Sequence, residues 1–428
     1  MDSDFGAHAS TVTPAQDDAA ESSPVPTETI ERNGCRIALR RVDGAGASEI
    51  FVHCRPPAET ADAGSQAEAI YSSIIDVLAA EGANFGDVVA ENVFIDNLQV
   101  NIGPVRDSRA RVLAVSGVAP DGPALTEIEQ PPLLERACLA VSVQAVVPNN
   151  TSLKFESIRT QPVCGCEECT GAHGLRIEAG NETRFHAAGL CGLGDNAYDQ
   201  TLGMFTLAED LLHKAGMDFR DVVRTWIYLR DMERDYGDLN EARRSFYEAR
   251  EIDPVPASTG IGGGPVSPHH DLCLGIYAVK APQPPTRTVM TSPTLNEAME
   301  YGADFVRGLK VEEASKVALQ ISGTASIDEN GESAHLDDFD AQAERMLVNI
   351  AALLEGQGAD FGDVVSAITY VKHPADTERL RAAFRKAGFK GFPNAMVAAP
   401  ICRPELLCET EALAILPVAA TESDSPKG

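Results

Sequence analysis

The stretch that decides the fold is Gly82-Ala-Asn-Phe-Gly-Asp-Val-Val89, because it occurs three times in this chain. It returns as Gly216-Met-Asp-Phe-Arg-Asp-Val-Val223 and as Gly358-Ala-Asp-Phe-Gly-Asp-Val-Val365. The spacing between copies is far longer than a solenoid repeat and matches the size of one small domain. The chain of 428 residues is therefore interpreted as three copies of one module.

The sequence around each copy has the same order of elements. Before the third copy, the apolar residues Leu347, Ile350 and Leu354 recur at three- and four-residue intervals, which predicts an amphipathic helix that ends at Gly356. The run at 364–371 after it is β-branched and aromatic, which predicts a strand. The same order of helix, glycine stop and strand surrounds the other two copies.

These elements predict a fold class and a division of the chain. Each module is expected to be β-β-α-β-α-β, an α+β sheet with its helices on one face. In the first module Gly103 and Pro104 stand where the second helix should be, so that helix is expected to be short or absent. Both ends of the chain are polar, and we expect them to be disordered. The predicted division is a tail at 1–29, modules at 30–150, 165–283 and 286–417, and a tail at 418–428.

Composition narrows the class of protein further. Hydrophobic residues make up 44% of the chain, enough for several cores, so the protein is globular. Its 64 acidic residues against 35 Lys and Arg give a net charge of −29, which repels nucleic acids and anionic membrane surfaces. The sequence shows no secretory signal pattern and no membrane-length apolar run, so the expected location is the cytoplasm.

Three of the ten cysteines form the cluster Cys164-Gly-Cys166-Glu-Glu-Cys169. With His173 as a fourth ligand, this spacing is compatible with a zinc site. The chain has no second CxxC pair, and the two glutamates disfavour thiolates. We therefore expect reduced thiols in a loop between modules, with no metal and no cofactor.

Several phrases in the second half of the chain resemble a known superfamily. They are Pro256-Ala-Ser-Thr-Gly-Ile-Gly262, Ile321-Ser-Gly-Thr-Ala-Ser-Ile327 and Cys402-Arg-Pro-Glu-Leu-Leu407. Together with the strand entry at Phe361-Gly-Asp-Val-Val365, they make the last two modules similar to the RidA/YjgF superfamily and, within it, to the chorismatase branch. The first module is similar only in its pattern of elements.

The resemblance implies an assembly as well as a fold. In the superfamily, three modules pack around a threefold axis, and small molecules bind in the clefts between neighbours. Most members do this as homotrimers, so a chain with three modules is expected to form the same ring as a pseudotrimer, which can associate further into a homo-oligomer. Because the three copies need not be identical, each cleft is free to diverge.

The last strands indicate where a catalytic acid lies. When the strands are aligned on their shared ending, Glu411 in the third module corresponds to Tyr277 in the second and Gln144 in the first. The resemblance implies that Glu411 is the catalytic glutamate. Glu409 shares its face of the strand, so each can raise the other's pKa if both point into the cleft. The alternative is a strand-edge carboxylate that faces solvent.

Substrate anchoring requires a cation, because the expected substrates are acids. The arginine of the deaminase branch would fall at Asn394 or Ser258 and is absent from both, which fits the chorismatase branch better. Arg307 is the first candidate to hold a carboxylate, since its planar guanidinium matches that group. Further candidates for the pocket are Tyr301, Ser322, Cys402, Arg403 and Glu409.

The expected function is therefore that of a small-molecule enzyme. Hydrolysis or elimination of an enol-ether carboxylate such as chorismate needs a proton delivered to a vinyl carbon, and a glutamic acid in an apolar site can deliver it. One alternative is an imine or enamine deaminase. The other is a binding or scaffold protein that keeps the ring and has lost the chemistry.

Overall fold

We describe the protein from a computed structural model of the single chain. The structure describes residues 27–417, except 45, 59–61, 118–121, 150–151, 162–170, 298–303 and 390. The cysteine cluster at 164–169 and the predicted tails lie outside these residues, apart from 27–29 of the first tail. Within the described part, no helix is both long and apolar enough to cross a bilayer.

Each module contributes a sheet and two helices. The first contains β1 (Glu28–Arg32), β2 (Cys35–Asp43), β3 (Ala47–Arg55), α1 (Ala63–Ala80), β4 (Val88–Ile95), α2 (Leu98–Val115), β5 (Ala124–Glu129) and β6 (Leu139–Pro148). The second contains β7 (Leu153–Arg159), β8 (His173–Ala179), β9 (Glu182–Leu190), α3 (Ala197–Lys214), β10 (Val222–Leu229), α4 (Met232–Ala249), β11 (Ala257–Gly262), β12 (Gly264–Pro265) and β13 (Leu272–Lys280). The third contains β14 (Thr286–Val289), β15 (Gly308–Glu312), β16 (Val317–Ala325), α5 (Phe339–Glu355), β17 (Val364–Val371), α6 (Thr377–Lys386), β18 (Asn394–Ala398) and β19 (Cys408–Leu416).

The three sheets have the same strand order. It is β1-β2-β3-β6-β4-β5 in the first module, β7-β8-β9-β13-β10-β11 in the second and β14-β15-β16-β19-β17-β18 in the third. The pairs β4–β5, β10–β11 and β17–β18, each connected through the second helix, are parallel, and the other neighbours are antiparallel. The predicted α+β class and the three tandem modules are confirmed. Within its own sheet, each module has six strands, two more than predicted, with one of the two at each edge, and the second module has β12 in addition.

The repeated phrase forms the same short turn in every module. Gly82 and its two counterparts have φ between 73° and 74°, a left-handed conformation that glycine adopts without strain. The Asn84 side chain then accepts a hydrogen bond from the Gly86 N–H, and the Asp87 carboxylate accepts one from the Asn84 N–H, both at 2.8 Å. The other two copies repeat these bonds. The phrase therefore recurs because it directs the chain from the first helix into a central strand.

The first module has a full second helix, so the prediction of a short or absent one is wrong. α2 is 18 residues long and contains Pro104, which removes one helical hydrogen bond. Two ion pairs hold the helix to its sheet. Arg109 donates to both carboxylate oxygens of Glu91 on β4, at 2.9 and 2.5 Å, and Arg106 lies 2.6 Å from Glu127 on β5. These tertiary contacts outweigh local propensity, which is all that a sequence reading weighs.

Contacts join every pair of modules. The short strand β12 of the second module pairs with β5 of the first. Ala257 of the second module forms a β-bridge with Val306 of the third, and Pro132 of the first forms one with Val397 of the third. The sheets therefore do not stand as separate domains.

A cluster of five buried charges also joins all three modules. Arg184 of the second module lies 2.8 Å from Glu182, 2.9 Å from Glu49 of the first module and 3.2 Å from Glu313 of the third. Lys316 of the third module bonds Glu49 as well. Burial alone would raise the pKa of Glu49, but Lys316 and Arg184 outweigh it and lower that pKa to about 2. Glu49 meets its two cations only when the three modules are together.

We predict that Arg184→Met destabilises the protein by about 3–5 kcal/mol, because it leaves three carboxylates of the cluster without their shared cation. Urea unfolding at neutral pH measures the change. The matched control is Arg220→Met, which removes an exposed arginine whose pair with Asp218 is screened by water and contributes little to stability. Equal effects of the two substitutions would show that the cluster does not hold the modules together.

Candidate active site

A cavity of about 370 Å³ lies between the second and third modules. The second module contributes Tyr236 and Asn240 from α4. The third module contributes side chains from β16, β19 and the segments before β15 and β19. They include Phe305, Arg307, Gly323, Cys402, Arg403 and Glu409. Four residues predicted for the pocket, Arg307, Cys402, Arg403 and Glu409, thus lie together.

A bulge in β16 makes room for the carboxyl group of Glu409. The pairing between β16 and β19 shifts register between Ile321 and Thr324, and Ala325 then pairs with Glu409. A Cβ atom on Gly323, inside the bulge, would lie 2.1 Å from Glu409 Oε1. The glycine of the Ile-Ser-Gly-Thr-Ala phrase is therefore required for this carboxyl group to reach the cavity.

Glu409 is a carboxylic acid that keeps its proton at neutral pH. Its side chain is buried, and burial together with the neighbouring Glu411 raises its pKa to about 8. Arg307 and Arg224 oppose this shift without cancelling it. A protonated acid that lines a cavity is suited to deliver a proton to a bound molecule.

Arg307, the first candidate to hold a substrate carboxylate, is a buried cation at the wall of the cavity. Only 3% of the residue is exposed, and its Nε donates to the backbone oxygen of Asn296 at 3.0 Å. The guanidinium carbon lies 5.7 Å from the ring centroid of Phe305. These contacts fix the plane of the guanidinium at the wall of the cavity, so it presents a defined edge to a ligand.

Two further predicted residues line the same cavity. Arg403 donates to the hydroxyl oxygen of Ser333 at 3.3 Å. Burial and the adjacent Glu409 raise the pKa of the Cys402 thiol to about 12, so Cys402 is a neutral thiol and not a nucleophile. Arg403 can contribute charge to an anion, whereas Cys402 contributes shape.

Glu411, predicted as the catalytic acid, does not line this cavity. It lines a separate space of about 120 Å³ that is walled by the last strands of all three modules. Its carboxylate accepts from Arg224 at 3.0 Å, from Trp226 Nε1 at 2.7 Å and from the Tyr370 hydroxyl at 3.3 Å. Arg224 of the second module thus forms an ion pair with the Glu411 carboxylate, and Trp226 of the same module and Tyr370 add hydrogen bonds to it. Glu409 and Glu411 share a face of β19, but they open into different cavities.

The strand registers also correct the alignment of the last strands. Glu411 pairs with Ile368 on β17, and the equivalent positions are Ser142 in the first module and Gly275 in the second. All three equivalent residues line the cavity of about 120 Å³. Gln144 and Tyr277, which the sequence alignment matched with Glu411, correspond instead to Leu413.

The remaining predicted residues lie elsewhere. Tyr301 is outside the described residues. Ser322 is fully buried beside the cavity and not among its lining residues, because its hydroxyl donates to Val306 O at 2.6 Å and accepts from the Ser258 N–H at 2.9 Å. The sequence analysis missed Tyr236 and Asn240, since nothing in a helix of one module signals that it faces the next module.

Among the described residues, no group of three or more His, Cys, Asp and Glu side chains is arranged to hold a metal ion. Cys164, Cys166 and Cys169 lie outside the described part, so the expectation of metal-free thiols there stays a prediction.

We predict that Glu409 makes stability fall as pH rises. Its pKa is about 8 in the folded protein against 4.5 in the unfolded chain, so the folded state holds a proton that the unfolded state releases. Between about pH 5 and pH 9 this should cost the wild type on the order of 4 kcal/mol relative to Glu409→Gln. Urea unfolding at both pH values measures it.

Glu135→Gln is the control for that measurement, because the Glu135 side chain is 90% exposed. Its pH dependence should match that of the wild type. A Glu409→Gln variant whose stability follows the wild type across this range would show that Glu409 ionises normally.

Comparison with known proteins places the chain in a structural context. A chorismatase crystal structure at 1.08 Å resolution superposes with a TM-score of 0.56 at 18% identity, covering 77% of this chain and 93% of that one. A putative endoribonuclease L-PSP from Entamoeba histolytica covers 31% of this chain and 100% of its own at 22% identity, with a TM-score of 0.27. RidA from an Antarctic Psychrobacter covers 30% of this chain and 99% of its own at 23% identity, with a TM-score of 0.26. The first of these likenesses shows a shared fold.

No curated protein sequence matches the chain. The sequence model of the family described as Endoribonuclease L-PSP matches twice, at residues 179–280 and 297–416, which together are more than half of the 428 residues. Both matches fall on the modules that resemble RidA/YjgF proteins. The chain therefore belongs to the endoribonuclease L-PSP family, the RidA superfamily.

Proposed function

We propose that this protein is an enzyme that protonates a small enol-ether carboxylate, chorismate or a relative, and either hydrolyses it or eliminates its enol-ether group as a 2-oxo acid. The observation that carries the proposal is Glu409, a carboxylic acid that stays protonated and lines a cavity of about 370 Å³ together with Arg307. The likeness of the fold to a chorismatase supports the reaction class.

The proposed hydrolysis starts with proton transfer from Glu409. The proton forms a C–H bond at the terminal vinyl carbon, and the ether carbon becomes an oxocarbenium ion. Water adds to that carbon and returns a proton to the Glu409 carboxylate. The hemiketal then breaks its bond to the alcohol oxygen, which takes up a proton and leaves a 2-oxo acid. In elimination no water adds: the Glu409 carboxylate takes a proton from the ring, a C=C bond forms in the ring, and the bond between the ring and the ether oxygen breaks, which gives the C=O of the 2-oxo acid.

Arg307 and Arg403 are proposed to hold the substrate carboxylate. Both line the same cavity as Glu409, and arginine is the residue that pairs best with carboxylates. An anchored carboxylate fixes the vinyl carbon near the acid, which saves the entropy of a bimolecular encounter. Arg307→Ala is therefore expected to raise KM.

The alternative functions are less well supported. Asn394 and Ser258 occupy equivalent positions on β18 and β11, and neither supplies the arginine that a deaminase of this superfamily would use. Retention of Glu409 disfavours a silent binding protein. The family's name refers to ribonuclease activity, which a net charge of −29 disfavours because RNA is a polyanion.

The proposal includes a pseudotrimeric ring, since each cleft needs two modules. We predict that the purified chain scatters X-rays as a compact particle with a radius of gyration of about 22 Å, the value for a globular chain of this length. The molar mass measured on the same sample separates a single ring from an assembly of rings. A radius above about 30 Å at monomer mass would mean that the modules stand apart on linkers.

Measurements of turnover distinguish the role of Glu409 from that of Glu411. We predict that Glu409→Gln lowers turnover of chorismate by about 10²–10⁴-fold without loss of folding, because the amide keeps the shape and has no proton to give. Substrate consumption is followed for the wild type, Glu409→Gln and Glu411→Gln. Glu411→Gln removes the partner of buried Arg224 and should lower stability more than it lowers the turnover of the folded fraction.

An enamine generated in situ is the second substrate in this experiment. Turnover of the enamine without turnover of chorismate would replace the proposed reaction by deamination. If Glu409→Gln keeps wild-type turnover while Glu411→Gln abolishes it, the acid faces the cavity shared by the three last strands and our assignment of the site fails.

A further inference from the structure

A second cavity lies between the first and third modules and is lined by arginines. Its volume is about 280 Å³, and Arg36 and Arg55 reach it from the first module. Arg381 and Arg385 reach it from α6 of the third module. Among the described residues that line this arginine cleft there is no Asp or Glu. A site of this charge stands out in a protein whose net charge is −29.

The arginine cleft, between the third and first modules, is equivalent in position to the candidate active site between the second and third modules. Helix α6 lines the arginine cleft in the same way as α4 lines the cavity of about 370 Å³ that contains Glu409, called the Glu409 cavity below. A small adjoining cavity is lined by Arg55, Arg381 and Ala140 of β6. Strand register makes Ala140 the equivalent of Glu409, because Ala140 pairs with Phe94 as Glu409 pairs with Tyr370. The first module thus keeps the cleft and lacks the acid.

The arginines of this cleft repel one another. Burial lowers the pKa of Arg55, and the charges of Arg36 and Arg381 lower it further. Arg381 forms an ion pair with Glu378 of its own helix, but 74% of the Glu378 side chain is exposed and water screens that pair. The cluster therefore carries uncompensated positive charge, and an anion bound among the arginines would convert repulsion into attraction.

The walls indicate what kind of anion fits. Guanidinium groups bind phosphate and carboxylate oxygens in pairs, and four of them around one cavity suit more than one negative charge. Three phenylalanines and a methionine also line it, which suits an apolar part of the ligand. These residues are Phe384, Phe389, Phe392 and Met396.

We propose that the arginine cleft is a non-catalytic site for a small organic anion with two or more negative charges, such as a phosphate ester or a polycarboxylate. The ligand bridges the first and third modules, because each module supplies two of the four arginines. The site is independent of the proposed reaction, which takes place in the Glu409 cavity.

Titration calorimetry at constant ionic strength tests this site, with pyrophosphate and citrate as probes and acetate as the monovalent control. We expect saturable binding of at least one probe and a higher melting temperature in its presence. Arg55→Gln should weaken that binding at least tenfold, since it removes a half-buried cation from the wall of the cleft. Arg220→Gln, which removes an exposed arginine elsewhere, should leave it unchanged. Preference for pyrophosphate or citrate identifies phosphate or carboxylate as the recognised group.

Two further variants keep the test decisive. Arg307→Gln should retain the binding, because Arg307 lines the other cleft; loss of binding in this variant would place the anion in the Glu409 cavity and overturn the proposal. Arg385→Gln, an exposed position near the end of α6, should weaken binding and serves if Arg55→Gln does not fold. Without ligand, Arg55→Gln should be at least as stable as the wild type, since it removes repulsion. Absence of saturable binding by either probe would also overturn the proposal.

Discussion

The buried cluster around Arg184 is the constraint on which the rest of the structure depends. Charged side chains are removed from water at a cost that only close opposite charges offset. Arg184 has carboxylate partners from all three modules. Glu49 of the first module pairs with Arg184 and Lys316, which belong to the second and third modules. Glu313 of the third module pairs with the same two cations. The first module alone would therefore bury the Glu49 charge without a cation from its own chain segment. Once the modules are fixed in this way, the clefts between their sheets and the neighbouring helices follow.

Fusion of three modules allows their equivalent positions to differ, and the last strands show this. The position of Glu409 is held by Ala140 in the first module and Cys273 in the second. Three identical subunits would carry the same residue in all three clefts. In this chain one cleft can hold a protonated acid and another a cluster of arginines, because their electrostatic requirements no longer conflict within a single sequence.

Much of the fold was predictable from the sequence, whereas the acid of the candidate site and the residues that the second module contributes to it were not. The repeated phrase reveals the modules because its glycine and its capping Asn or Asp are dictated by local geometry. Helix α2 was missed because its support comes from Glu91 and Glu127 on neighbouring strands. The choice between Glu409 and Glu411 was beyond a sequence alignment, since a shift of two residues along a strand preserves which side chains face inward. Only pairing with the adjacent strand fixes the register.

The two glutamates of β19 have different chemistry because they meet different arginines. Glu411 lies 3.0 Å from Arg224, and this ion pair offsets part of the positive charge with which Arg224 lowers the pKa of Glu409. Glu411 then acts on Glu409 as a nearby negative charge and, with burial, holds its pKa near 8. The shared strand face predicted that one of the two glutamates would raise the pKa of the other, but not which one. In the proposed mechanism Glu411 is thus a positioning residue. It forms an ion pair with the buried Arg224 of the second module, and its negative charge helps to keep the proton on Glu409.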